Sequence, residues 1–202
     1  MTLDLTLRML AMSALFLGFI GGVEFFKRRF SLSPELTRRV VHIGAGVCTI
    51  IDFYYVPGWP FVVLISTSIA IIGFSYFKNF FTSVHNVTRR TYGEIFLPFG
   101  SLSAYFITLG EPTAFLPSLL IMTFADSLAG LTSDFFKQPR KMWRGSLVFF
   151  VVAAAILFLT SNMDVPLALL AAVILTAVER FSPRGSDNLT VPAVAALLLV
   201  LF

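Results

Sequence analysis

Apolar residues run along this chain in eight blocks, separated by short polar or basic connections. A membrane-crossing helix needs about 20 mostly apolar residues, with a range of roughly 17–25. The blocks at Leu5–Phe26, Val40–Val56, Pro60–Phe77, Tyr92–Leu109, Ala114–Ser133, Gly145–Thr160, Val165–Phe181 and Asn188–Phe202 follow that pattern. The expected fold is therefore all-α: a polytopic helical bundle of about eight transmembrane helices, forming a single transmembrane domain over residues 1–202. The first block is too long for the core of a cleavable signal peptide. Its positive cluster, Lys27-Arg28-Arg29, follows the apolar run rather than preceding it.

The polar connections alternate in charge. Lys27, Arg28, Arg29, Arg38 and Arg39 fall in one loop, Lys78, Arg89 and Arg90 in the next but one. Lys137, Arg140, Lys141 and Arg144 follow, then Arg180 and Arg184. Of the 15 Lys and Arg residues only Arg8 falls on the other side. Cytoplasmic loops carry the excess of Lys and Arg, so these four loops are expected in the cytoplasm and both termini outside. The outer connections are turns of a few residues, such as Pro57–Trp59, too short to house a site.

Composition strengthens the membrane reading. Hydrophobic residues make up 57% and charged residues 13%, against about 45–50% and 25% in soluble domains. The formal net charge of +4 does not indicate nucleic acid as a partner, because the basic residues flank apolar blocks, where they set orientation. The single cysteine, Cys48, excludes an intrachain disulfide and a cysteine metal site.

Against this apolar background the polar residues near the helix ends carry the chemical information. Glu94, Asp126, Glu179 and Asp187 map to the cytoplasmic leaflet, as does His42. Taken singly, His42 fits a bond to a neighbouring carbonyl, Glu94 and Glu179 fit anchors pairing with Arg90 and Arg180, and Asp187 fits a helix cap. Asp126 is harder to place that way. It lies about two turns inside the fifth block, in MTFADSLAGL, with Gly130 one turn further on the same face. A carboxylate inside a span costs about 2.5–3.5 kcal/mol on insertion scales and normally faces a partner or a cavity. Several carboxylates at one membrane face suit Mg²⁺, and nearby cations suit a polyphosphate. No GxxxxGK[ST] loop is present, so a nucleotide would be held in another way.

Five segments in order resemble the membrane-bound polyprenol kinase family, whose members phosphorylate dolichol, phytol, farnesol or diacylglycerol. ELTRRVVHIGAG carries Glu35, Arg38, Arg39, His42 and Gly46. RRTYGEIFLPFG carries Arg90, Gly93 and Glu94, and ADSLAGL carries Asp126, Ala129 and Gly130. KMWRGS carries Lys141, Trp143, Gly145 and Ser146, and ERFSPRGSDNLTVP carries Glu179, Asp187, Asn188 and Pro192. The chain departs from the family pattern at Ala125, where a glycine is usual, and at Ser186 in the Ser-Asp-Asn triplet.

The resemblance implies transfer of the γ-phosphoryl group of a nucleoside triphosphate, typically CTP, to a lipid alcohol at the cytoplasmic face. It implies Mg²⁺ on Asp126, Asp187, Glu179 and Glu94, and catalytic roles for Asp126, Lys141, His42 and Glu179. Arg38, Arg39, Arg90, Gly130, Lys141, Gly145, Ser146 and Asn188 are the expected nucleotide contacts. Two other functions share some of these features. A CTP:phosphatidate cytidylyltransferase would use the same nucleotide and lipid interface, but its Lys-Asp and HGGxxDR cluster is missing. A small-molecule transporter would use helices broken at Gly93, Pro98, Gly100 and Pro117, but would gather its polar residues at the midplane.

Overall fold

The computed structural model describes residues 3–78, 92–136 and 141–202. All regular structure among them is helical. Of the described helices, three belong to one compact unit, Met1–Arg90: α1 (Leu3–Phe30), α2 (Pro34–Tyr55) and α3 (Trp59–Lys78). Five belong to a second, Thr91–Phe202: α4 (Gly93–Ile107), α5 (Pro112–Phe135), α6 (Trp143–Thr160), α7 (Val165–Phe181) and α8 (Asp187–Leu201).

In the first unit the polar run before α2 sets its start. Ser33 caps the helix, its Oγ accepting the Leu36 amide at 3.3 Å, and Pro34 fills the first turn, where its missing N–H costs nothing. The apolar pattern alone had placed this start at Val40; the cap moves it six residues earlier. Gly44 brings α1 and α2 together, since a Cβ there would overlap the Phe19 ring. Phe53 and Phe61 meet edge to face at 5.9 Å and join α2 to α3. On α1, buried Glu24 is paired with Arg28 at 2.7 Å.

In the second unit α4 and α8 lie against each other most closely. A Cβ on Gly100 would overlap the Asn188 carbonyl oxygen and sit 2.8 Å from Pro192 Cγ. Small residues permit such approach where lipid gives no hydrophobic push between helices. Ile121, Ala125, Ala129, Phe149, Ala153, Leu157, Leu175, Val191 and Ala195 fill the space among α5, α6, α7 and α8. α5 is not regular. Over Ile121–Ala125 it widens into a π turn, and the Asp126 amide bonds Ile121 O, five residues back.

Among the described residues three helices are long and apolar enough to cross a membrane: Leu3–Phe30, Pro112–Phe135 and Trp143–Thr160. α4 and α8 are apolar but have 15 residues each, about 22 Å at 1.5 Å per residue. Large apolar side chains such as Leu159, Val173, Phe158 and Leu201 point outward, while Ser101, Ser118, Thr123 and Ser127 are wholly buried. Polar groups inside and apolar ones outside are what lipid as a solvent demands.

Candidate active site

One end of the second unit holds its chemistry. α4 and α8 begin there, α7 ends there, and α5 passes through. The link from α7 to α8 is tight: Arg184 and Gly185 take left-handed conformations with φ of 53° and 86°. Ser182 Oγ and Thr190 Oγ1, 2.7 Å apart, tie its two sides. This turn sets Glu179, two residues before the end of α7, beside Asp187, the first residue of α8. Asp126 enters from α5 immediately after the π turn. Carboxylate oxygens of Asp126, Glu179 and Asp187 all lie within 4.8 Å of one another, and all three residues are buried.

Lys141, just before α6, closes the group. Its Nζ lies 2.7 Å from Glu179 Oε1 and 2.6 Å from Asp187 Oδ2, and also donates to the Glu179 carbonyl oxygen. An ammonium has three donors, and these contacts use all of them. Burial alone would lower the Lys141 pKa, but the charges of Asp187 and Glu179 outweigh it and hold the pKa above the ordinary 10.5. One ammonium thus meets two of three clustered, buried carboxyl groups.

Asn188 locks the geometry. Its Nδ2 donates to Gly93 O at 2.7 Å, pinning the start of α8 to the start of α4, and its amide donates to Asp187 Oδ1 at 3.0 Å. Gly93 is small because a Cβ there would lie 2.8 Å from Asn188 Nδ2. Asn188 Oδ1 is buried with no hydrogen-bond partner among the described residues.

The other expected site residues fall in different places. Gly145 lets α6 meet α5: a Cβ would lie 3.0 Å from Ala129 O and 3.1 Å from Ser133 Oγ. Ser146 accepts a bond from Arg180 at 3.2 Å on the exposed rim, so Glu179 is paired with Lys141 rather than with Arg180. Gly130 is partly exposed, one turn beyond Asp126. Arg144 stacks over Phe136 at 4.6 Å. Glu94, half-buried in the first turn of α4, is not one of the three clustered carboxylates. Asp187 is not the cap of α8; Ser186 holds that position. Arg38, Arg39 and buried His42 belong to α2 in the first unit, and Arg90 lies outside the described residues.

Sequence reasoning missed the π turn, the carbonyl contact of Lys141, and the buried Thr123 and Ser127 on either side of Asp126. Nothing in hydropathy announces a π turn. The hydroxyls were legible only as two polar residues in an apolar run.

Fold and site together define a helical membrane protein with a buried acidic centre at one end of its second unit. A phytol kinase from Synechocystis sp. is 33% identical to it over 205 residues, spanning 93% of this chain and 88% of that protein. The chain belongs to the polyprenol and phytol kinase family, and is a phosphotransferase acting on a lipid alcohol. No family model matches the chain, and no solved structure matches it.

Proposed function

We propose that this protein transfers the γ-phosphoryl group of CTP to the hydroxyl of a lipid alcohol of the phytol and polyprenol class. The reaction takes place with Mg²⁺ at the cytoplasmic face of a membrane that the chain crosses about eight times, both termini outside. The observation that carries this reading is the cluster of buried Asp126, Glu179 and Asp187 with Lys141 against it. The phytol kinase relative supports the acceptor class, and the one-sided basic loops support the orientation.

The donor set suits Mg²⁺: three carboxyl groups offer hard oxygens within 4.8 Å of one another, and Asn188 Oδ1, which has no hydrogen-bond partner among the described residues, is a further acceptor. Asp126, Asp187 and Glu179 would hold the ion, with Glu94 in the first turn of α4 as a further carboxylate. When bound, the ion supplies neutralising charge to the donor phosphates. The chain's own residues do the rest. Lys141 stabilises negative charge on the transferring group. Asn188 fixes the start of α8 and so the position of Asp187. By the family resemblance, Arg38, Arg39 and Arg90 would bind the nucleotide. The alcohol oxygen forms its bond to the γ-phosphorus as the bond to the bridging oxygen breaks, and a carboxylate or His42 takes the hydroxyl proton. Membrane lipids surround the apolar outer faces and deliver the acceptor.

The test is a substrate grid. Purified protein is given CTP, UTP or ATP with phytol, farnesol, a polyprenol or diacylglycerol, with Mg²⁺ or with chelator. A phosphorylated isoprenoid alcohol formed from CTP and lost on chelation is the expected result. Equal rates with ATP would overturn the donor assignment, and full activity in chelator would overturn the metal.

A further inference from the structure

Five buried hydroxyls among the described residues bond back along the chain to carbonyls one turn earlier. Thr37 donates to Ser33 O and Pro34 O, Thr49 to Ala45 O, Ser101 to Leu97 O, Thr108 to Ala104 O and Ser118 to Ala114 O. Thr123 and Ser127 do not. Both are 0% exposed, and neither Thr123 Oγ1 nor Ser127 Oγ has a hydrogen-bond partner among the described residues. A buried hydroxyl left unpaired is destabilising, and here two occur four residues apart.

Their position is informative. Thr123 lies within the π turn and Ser127 just after it, where the four-residue register used by the other hydroxyls is broken. π turns recur at functional sites. Residues four apart share a helix face, and Asp126 is three residues from Thr123 and adjacent to Ser127. α7 ends and α8 begins at the level of the carboxylates, so the bundle lies to one side of them. Thr123 is about 4.5 Å deeper into that bundle than Asp126, at 1.5 Å per residue. It is also close to the midpoint of the membrane-length helix Pro112–Phe135. A polyphosphate approaching from water has no reason to reach that depth. The hydroxyl head of a lipid, approaching from the bilayer side, does.

We propose that Thr123 and Ser127 form the subsite for the acceptor hydroxyl, holding the head of the lipid alcohol beside Asp126. The proposal rests on the lipid-alcohol kinase reading and adds to it the residues that bind the acceptor. Each side-chain hydroxyl can donate to and accept from an alcohol, so the pair suits a neutral O–H and has no charge with which to favour an anionic headgroup.

The test uses the full chain and four variants: Thr123→Val, Ser127→Ala, the double variant and Thr123→Ser. Steady-state KM is measured separately for phytol and for CTP, with a melting temperature for each protein. Each deletion is expected to raise KM for the alcohol about three- to tenfold, the worth of one hydrogen bond. KM for CTP stays within about twofold. The melting temperature is unchanged or higher, because an unpaired buried group has been removed. Thr123→Ser keeps the wild-type KM. An unchanged KM for the alcohol in the double variant overturns the subsite. So does a matching rise in KM for CTP, or a fall in melting temperature, which would show the hydroxyls bonded within the fold. A wild-type protein that phosphorylates no lipid alcohol removes the kinase reading itself and the subsite with it; the wild-type control separates that failure from the others.

Discussion

Replacing Lys141 with methionine keeps the length of the side chain and removes its charge. In the folded protein that charge stands 2.7 Å from Glu179 and 2.6 Å from Asp187. Its own side chain is 24% exposed, and those of Glu179 and Asp187 are 6% and 9% exposed. Breaking a buried pair by removing one partner costs about 3–5 kcal/mol, because the remaining charge is left without compensation. Two carboxylates lose a partner here, and a third, Asp126, stands within 4.8 Å. The upper part of that range is therefore expected in the absence of divalent cation, a fall in melting temperature on the order of 10 °C. Removing Lys141 takes one positive charge from beside the carboxyl cluster, so added Mg²⁺ should raise the melting temperature of the variant more than that of wild type. A cation at one hundred times its Kd restores about 2.7 kcal/mol. The assay is thermal unfolding in detergent, followed by tryptophan fluorescence, across a Mg²⁺ titration. A variant that melts with wild type in chelator and gains nothing extra from Mg²⁺ would refute the electrostatic reasoning.

Other consequences follow from the same geometry. Because the Lys141 pKa is raised above 10.5 in the folded protein, its stabilisation is fully present below that value and is lost only as pH rises through the higher folded value. The gap in melting temperature between wild type and Lys141→Met should thus stay constant from neutral pH to about pH 10 and narrow above it. Closure near neutral pH would contradict the ion pairing. Gly100→Ala should destabilise by about 1–3 kcal/mol, since its Cβ meets the Asn188 backbone. Gly73→Ala meets nothing within 4 Å and should be neutral or stabilising by up to about 1 kcal/mol; equal effects in the two unfolding curves would argue against close α4–α8 packing.

Hydropathy located the helices well where apolar runs coincide with helix length. The block Val165–Phe181 matches α7 at both ends, and Gly145–Thr160 misses only the first two residues of α6. It failed at α2, whose first turns carry Glu35, Arg38 and Arg39. There the capping pair Ser33-Pro34 was the readable signal and hydrophobicity was not. Apolar periodicity records which residues avoid water and not which helices choose each other, so the pairing of α4 with α8 was not legible in it.

For the candidate site, sidedness was enough to bring Asp126, Glu179, Asp187 and Lys141 under suspicion together, because charges inside spans are rare and costly. Sequence did not separate Glu94 from that group, as its distance from the other three depends on how α4 turns at its first residue. It also gave Gly145 and Asn188 as nucleotide contacts. Their positions show packing duties that need no ligand: Gly145 admits the Ala129 carbonyl, and Asn188 ties α8 to α4. The π turn before Asp126 follows from backbone pairing and leaves no trace in composition.

The most direct measurement is the fate of the CTP phosphates in wild-type protein and in Asp126→Asn. Label from [γ-³²P]CTP should enter the lipid alcohol with wild type, label at the α-phosphate should not, and the folded variant should transfer about 10²–10³ times more slowly. Lipid labelled from the α-phosphate, or an Asp126→Asn protein that transfers the γ-phosphate at the wild-type rate, would contradict a phosphoryl-transfer site built on the three carboxylates.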